Sequence, residues 1–178
     1  EENKSFEFGL RQTVNNRINF NLTFFNDSHT NKIENDSSFI PQNIAKAHSR
    51  GIEAGINLGL PKNFNLALNH TWNEHYDEDN QPLIRRAKTK FNATLTHVWK
   101  EKLDSLLNIY VRGRATDTES KKHTGGYTTV RAALGYKFNE KLKLTLRGEN
   151  LLDEEYEIVW PAGTPGISGY AGFTYTFN

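Results

Sequence analysis

The sequence predicts an all-β protein: an antiparallel up-and-down transmembrane β-barrel wall of about nine strands. Three observations point there. Segment after segment alternates apolar and polar residues with a period of two, which places successive side chains on opposite faces of a strand. No segment carries a helical period. The connections alternate short, long, short, long, so tight turns collect on one rim and loops of roughly ten to twenty residues on the other. Short periplasmic turns and long extracellular loops are how outer-membrane barrels are built.

The elements follow in order. Lys4–Arg11 sets Phe6, Phe8 and Leu10 against Glu7, Gly9 and Arg11. After the turn Thr13–Asn16, Arg17–Phe25 sets Ile18, Phe20, Leu22 and Phe24 against Asn19, Asn21 and Thr23. Asn26 to Lys46 is polar and reads as a long loop. Ala47–Leu60 then places Ile52, Ala54, Ile56 and Leu58 opposite Glu53, Gly55 and Asn57. Beyond the turn Pro61-Lys62-Asn63, Phe64–Asn73 carries Phe64, Leu66, Leu68, His70 and Trp72 on one face. Glu74–Ile84 reads as an acidic loop.

Ala87–Trp99 places Phe91, Ala93, Leu95, His97 and Trp99 on one face, and Leu103–Arg114 follows the turn Lys100-Glu101-Lys102. Ala115–Gly126 is a third long connection. Three strands complete the chain. One holds Val130 to Phe138, the next Leu142 to Glu149, and the last Ala171 to Phe177. The turn Asn139-Glu140-Lys141 and the longer stretch Asp153–Ser168 join them.

Composition agrees with a barrel and narrows the rest. The 178 residues are 36% hydrophobic and 12% aromatic, with a mean hydropathy of −0.71. No run approaches the ~20 apolar residues of a membrane helix. Barrel strands are half polar, so hydropathy windows miss them. A strand of about ten residues, such as Lys141–Asn150, spans about 33 Å, and at a tilt of about 45° it covers about 23 Å of membrane. Net charge is +1, which implies no nucleic-acid partner. Cysteine is absent, excluding disulfides and thiolate metal sites. Methionine is absent as well, so the chain reads as processed, cut, or part of something longer.

Several stretches resemble the C-terminal part of TonB-dependent outer-membrane receptors, in order and spacing across nearly the whole chain. They are Phe6-Glu7-Phe8-Gly9-Leu10, Ile18–Phe25 leading to Asn31-Lys32-Ile33, Ala47–Glu53, Pro82–Lys88, Glu149–Tyr156 and the terminal run Gly169–Asn178. Pro82–Lys88 is similar to the cobalamin receptor in particular, with ferric-siderophore receptors close rivals. The resemblance implies that residues 1–178 are the last strands of a larger barrel, of the roughly 22-stranded type, that encloses a plug. The plug and the N-terminal strands are absent from this chain. Their places would be filled by another chain or segment. It implies uptake of cobalamin or a ferric siderophore, driven by an inner-membrane TonB-type complex acting through the plug. The setting would be the bacterial outer membrane, among lipid and lipopolysaccharide, with the C-terminus periplasmic and the long loops extracellular.

The residues leave alternatives open. A complete small outer-membrane barrel serving as anchor or adhesin suits the length. A soluble ligand-binding barrel would need the Phe, Leu and Tyr face turned inward. Arg85, Arg86 and Lys88 stand where a long loop enters a strand, to touch an anionic ligand or lipopolysaccharide, or to form a solvated rim. Arg112, Arg114, Arg131, Arg147, Glu149 and Glu53 belong to the polar face and line a ligand path, meet a plug, or pair with one another. Tyr156 and Trp160 stack on ligand or anchor at the interface. Arg85, Arg86, Arg112, Arg114, Tyr156 and Trp160 are the candidate substrate contacts.

No catalytic constellation appears, so the chain is not expected to be an enzyme and no cofactor is called for. His70 and His97 lie on the apolar face, and His29, His75 and His123 in or beside loops, none at metal-ligand spacing. Asp77-Glu78-Asp79 reads as a solvated acidic loop.

Overall fold

The computed structural model describes residues 2–35, 39–117 and 123–177. Nine antiparallel strands form one continuous sheet in sequence order. They are β1 (Glu2–Asn15), β2 (Ile18–Asn35), β3 (Pro41–Leu60), β4 (Phe64–Asp77), β5 (Thr89–Trp99), β6 (Leu103–Arg112), β9 (Tyr127–Lys137), β10 (Leu142–Glu149) and β13 (Ser168–Tyr175). Two short hairpins stand apart from that sheet. One pairs β7 (Ala115–Thr116) with β8 (His123–Thr124), the other β11 (Glu157–Val159) with β12 (Ala162–Gly163). Every neighbour in the sheet is also the next long strand in the chain, so the topology is a simple meander. β1 and β13 are its two edges and share no ladder among the described residues.

Cross-strand registers keep like with like. Phe20, Ile56 and Leu68 fall in one row across β2, β3 and β4, and Asn21, Gly55 and Asn69 in the next. A one-residue slip would exchange the two faces, so the alternation itself pins the register. On the apolar face Phe64 stacks on His97 at 4.0 Å, which accounts for that histidine as a packing group.

The two faces differ in enclosure, and in the sense opposite to a soluble barrel. Along β6, Leu107 is 42% exposed, Asn108 6% and Ile109 36%. The polar residue is the enclosed one. The Asn108 amide donates among Thr94 Oγ1 at 2.9 Å, the Ala93 carbonyl at 3.1 Å and Asn92 Oδ1 at 3.2 Å. On the same face Lys143 meets Asp104 at 2.9 Å, in space left by Gly135, where any Cβ would collide with the Asp104 carboxylate. A polar, hydrogen-bonded interior under an apolar exterior is the pattern of a membrane barrel wall.

Trp99 ends β5 and Phe138 directly follows β9 at the short turns, and Leu60 and Phe64 flank another. These apolar groups therefore share one rim, while Trp72 lies toward the other.

The structure moves several predicted boundaries. Most of Asn26 to Lys46 is strand rather than loop: β2 and β3 stay paired from Asn26↔Arg50 to Asn35↔Pro41, and residues 36–38 lie outside the described residues. Likewise β4 runs on to Asp77 through residues expected to begin a loop. The last strand covers Ser168–Tyr175, where Ala171–Phe177 was expected.

Candidate functional site

The rim of long loops gathers most of the predicted contact residues into one layer. β6 delivers Tyr110 and Arg112 on its inner face, and β9 brings Tyr127 opposite Arg112 in the ladder. The Arg112 guanidinium lies 5.8 Å from the Tyr127 ring centroid, a cation–π distance. Tyr156, from the loop after β10, stacks on Tyr127 at 4.1 Å, and Tyr110 tilts against Tyr127 at 6.1 Å. Gly126 permits this crossing. A Cβ there would stand 3.0 Å from the Arg112 carbonyl oxygen and 3.3 Å from the Arg114 nitrogen, both backbone atoms.

Asp117 fastens the layer and was not among the predicted residues. Its side chain is fully enclosed. Oδ1 accepts from Arg85 Nε at 2.7 Å, and Oδ2 accepts from the backbone N–H of Trp160. The backbone N–H of Arg85 donates to the Thr116 carbonyl at 2.6 Å. Three loops, one before β5, one before β9 and one before β13, thus meet at one carboxylate. Burial alone would push the Asp117 pKa up. The hydrogen bonds from Arg85 and Trp160, with the charges of Arg85 and Arg112, outweigh it and hold the group below its ordinary value.

The last loop is held at its root by Asn150, which is buried and adopts a φ of 47°. Its Nδ2 donates to the carbonyls of Glu154 at 2.9 Å and Pro165 at 3.2 Å, and its Oδ1 accepts from Glu154 N–H at 3.1 Å. Asp153 Oδ1 accepts from Ile167 N–H at 2.8 Å. The Glu149–Tyr156 stretch is therefore a loop anchor that fixes where Tyr156 stands. Beside it opens a cleft of about 600 Å³ walled by Asp153, Glu154, Glu155, Glu157 and Tyr156. Four carboxylates make that cleft repulsive to an anion.

Not every predicted residue joins. Arg85, Arg112, Tyr156 and Trp160 do, with Arg112 buried and Trp160 40% exposed. Arg86 and Arg114 are exposed. Lys88 parts company with Arg85 altogether and turns to Glu74 at 3.1 Å. Arg147 pairs with Glu149 at 3.3 Å and covers the Tyr170 ring at 4.4 Å. Arg131 lies opposite the inward Asn108, and Glu53 between Thr23 and Thr71 on the same face. His123 falls in β8, where its side chain lies outside the described residues. Asp117 left no signal in the sequence, because its partners are 32 and 43 residues away.

A wall polar within and apolar without, capped at one rim by cross-tied aromatic and arginine-bearing loops, defines part of a membrane receptor barrel. The family model "TonB dependent receptor-like, beta-barrel" matches residues 1–151, and the chain belongs to that family. Similar solved structures include the siderophore receptor PirA from Acinetobacter baumannii. It has a TM-score of 0.80 at 18% identity, covering 98% of this chain and 32% of that one. A variant of the ferric enterobactin receptor PfeA from Pseudomonas aeruginosa gives 0.83 at 16% identity, covering 98% and 31%. The copper transporter OprC gives 0.82 at 13% identity, again over 98% and 31%. This chain therefore spans about a third of such receptors. No curated protein matches the sequence.

Proposed function

We propose that residues 1–178 form the C-terminal wall and outer loops of an energy-coupled outer-membrane receptor that takes up a ferric siderophore or related iron chelate. The plug and the remaining strands lie on another segment or chain. The carrying observation is the loop layer that Asp117 fastens: half-exposed Arg85 and Trp160, and Tyr156 seated on Tyr127, all at the mouth of a polar lumen. Cations beside aromatic faces suit a flat, anionic, metal-bearing ligand. Structural neighbours named as a siderophore receptor, a ferric-catecholate import receptor and a ferric enterobactin receptor support the same substrate class.

In this reading the apolar face meets lipid, strand pairing satisfies the backbone, and the long loops face the outside with the C-terminus periplasmic. Coupling to an inner-membrane TonB-type complex runs through the plug. The edges β1 and β13, unpaired among the described residues, would leave open N–H and C=O rows in lipid, which favours further strands over a small closed barrel serving as an anchor or adhesin.

The test is ligand binding by the full-length receptor in detergent, followed through tryptophan fluorescence. Ferric catecholate, ferric hydroxamate and cyanocobalamin are offered in parallel. Saturable quenching by an iron chelate supports the proposal. Quenching by cyanocobalamin alone moves the assignment to cobalamin, and no response to any of them removes the transport reading.

A further inference from the structure

A second charged centre lies on the opposite face of the wall, outside the lumen. Arg50, opposite Glu74 in the ladder, continues the row of Ile52 and Trp72, so both side chains belong to the apolar, outward face. Arg50 Nη2 meets Glu74 Oε2 at 3.0 Å, and Lys88 Nζ meets Glu74 Oε1 at 3.1 Å. Tyr76 closes the group: its hydroxyl donates to Glu74 at 3.0 Å and accepts from Lys88 at 3.0 Å. Glu74 is sunk to 15% exposure, while the side chains of Arg50 and Lys88 stay 68% and 51% exposed. The row above Arg50 runs Lys4, Ser28, His48, Tyr76, and Lys46 stands one row higher. Lys4, Lys46, Arg50 and Lys88 thus share the outward surface just beyond Trp72, against the carboxylates of Glu74 and Glu2.

Position decides what such a patch meets. An apolar band of about 25 Å, measured from the short-turn rim at about 2.3 Å of height per residue, ends at the level of Arg50 and Glu74. Cations on the lipid side at the edge of that band sit at the depth of lipid headgroups, where they favour an anionic surface. A carboxylate shared between two cations holds them together and leaves their outer N–H groups for phosphate oxygens. We propose that Arg50 and Lys88, organised by Glu74 and Tyr76, form a binding site for the phosphate of an outer-leaflet glycolipid. The proposal rests on the outer-membrane reading above.

The full-length receptor is purified, scored for heat-modifiable gel migration, and incubated with bisphosphorylated lipid A, dephosphorylated lipid A, or inorganic phosphate. Native mass spectrometry then counts what is retained. The expected result is retention of the bisphosphorylated lipid, roughly tenfold weaker in Arg50→Gln/Lys88→Gln and restored in Arg50→Lys/Lys88→Arg. Lys62→Gln/Lys100→Gln, at the opposite rim, should leave retention unchanged. Equal retention by the folded double variant overturns the site. Equal retention of dephosphorylated lipid A, or displacement by inorganic phosphate, overturns a lipid phosphate as the ligand. A wild-type preparation that never shows heat-modifiable migration sinks the outer-membrane reading and this site with it. A double variant that fails to fold passes the decision to Lys46→Gln/Arg50→Gln, read by the same criterion.

Discussion

Two carboxylates organise the long-loop end of this molecule, and they do so differently. Glu74 sits in a strand, gathers cations from its neighbours, and leaves them half exposed. Asp117 sits in a loop, is sealed from solvent, and joins segments with no ladder between them. Around Glu74 the backbone is already fixed by pairing with β3. The ion pairs there arrange charge on a frame that exists without them. Around Asp117 the carboxylate supplies the frame itself. A charge cluster on strands is thus a recognition surface, and a buried charge between loops is a structural joint.

The largest expected effect tests that contrast. Asp117→Ala removes the carboxylate that Arg85 and the Trp160 N–H share, at a cost of about 2–4 kcal/mol confined to the loop layer. Hydrogen exchange at Trp160 and Arg85 amides should accelerate while β9 and β10 keep their protection. Uniform acceleration would show that Asp117 supports the wall rather than the loops. Next is Gly126→Val, whose added atoms meet backbone at Arg112 and Arg114 and should cost about 1–3 kcal/mol. A thermal melt unchanged from wild type would deny the close crossing. Tyr156→Leu should lose about 1 kcal/mol of stacking on Tyr127 and weaken chelate quenching, with lipid retention untouched.

The smallest effect concerns Glu74. Glu74→Gln removes the charge that gathers Arg50 and Lys88 and should lower the melting temperature by the equivalent of at most about 1 kcal/mol. A larger loss would mean Glu74 acts through packing instead.

Strand count and facing were legible because lipid enforces them. Where a strand crosses the membrane, one face must be apolar, and residues such as Phe20, Ile56 and Leu107 announce it. The same rule explains the misread stretch from Asn26 to Lys46. Once β2 and β3 leave the lipid there is no apolar face to bury, so the period-two signal fades while the hydrogen-bonded ladder continues. Asn150 was visible only as part of a family-like stretch, and the structure supplies its reason: a left-handed residue whose amide closes the base of a loop. Asp117 was illegible because nothing local distinguishes a joint from any polar loop residue. Lys88 was grouped with Arg85 by proximity in sequence, and a backbone bend sends the two to opposite sides of the wall.

The paired extension of β2 and β3 has one more consequence. The 20 residues of β3, tilted by about 45° at about 3.3 Å each, rise to roughly 47 Å, nearly twice the apolar band. About half of that hairpin therefore stands clear of the lipid as a stiff, polar ribbon. In the orientation proposed above, that ribbon would project from an intact cell, within reach of antibodies and of any particle that searches the surface before the lumen itself is reached.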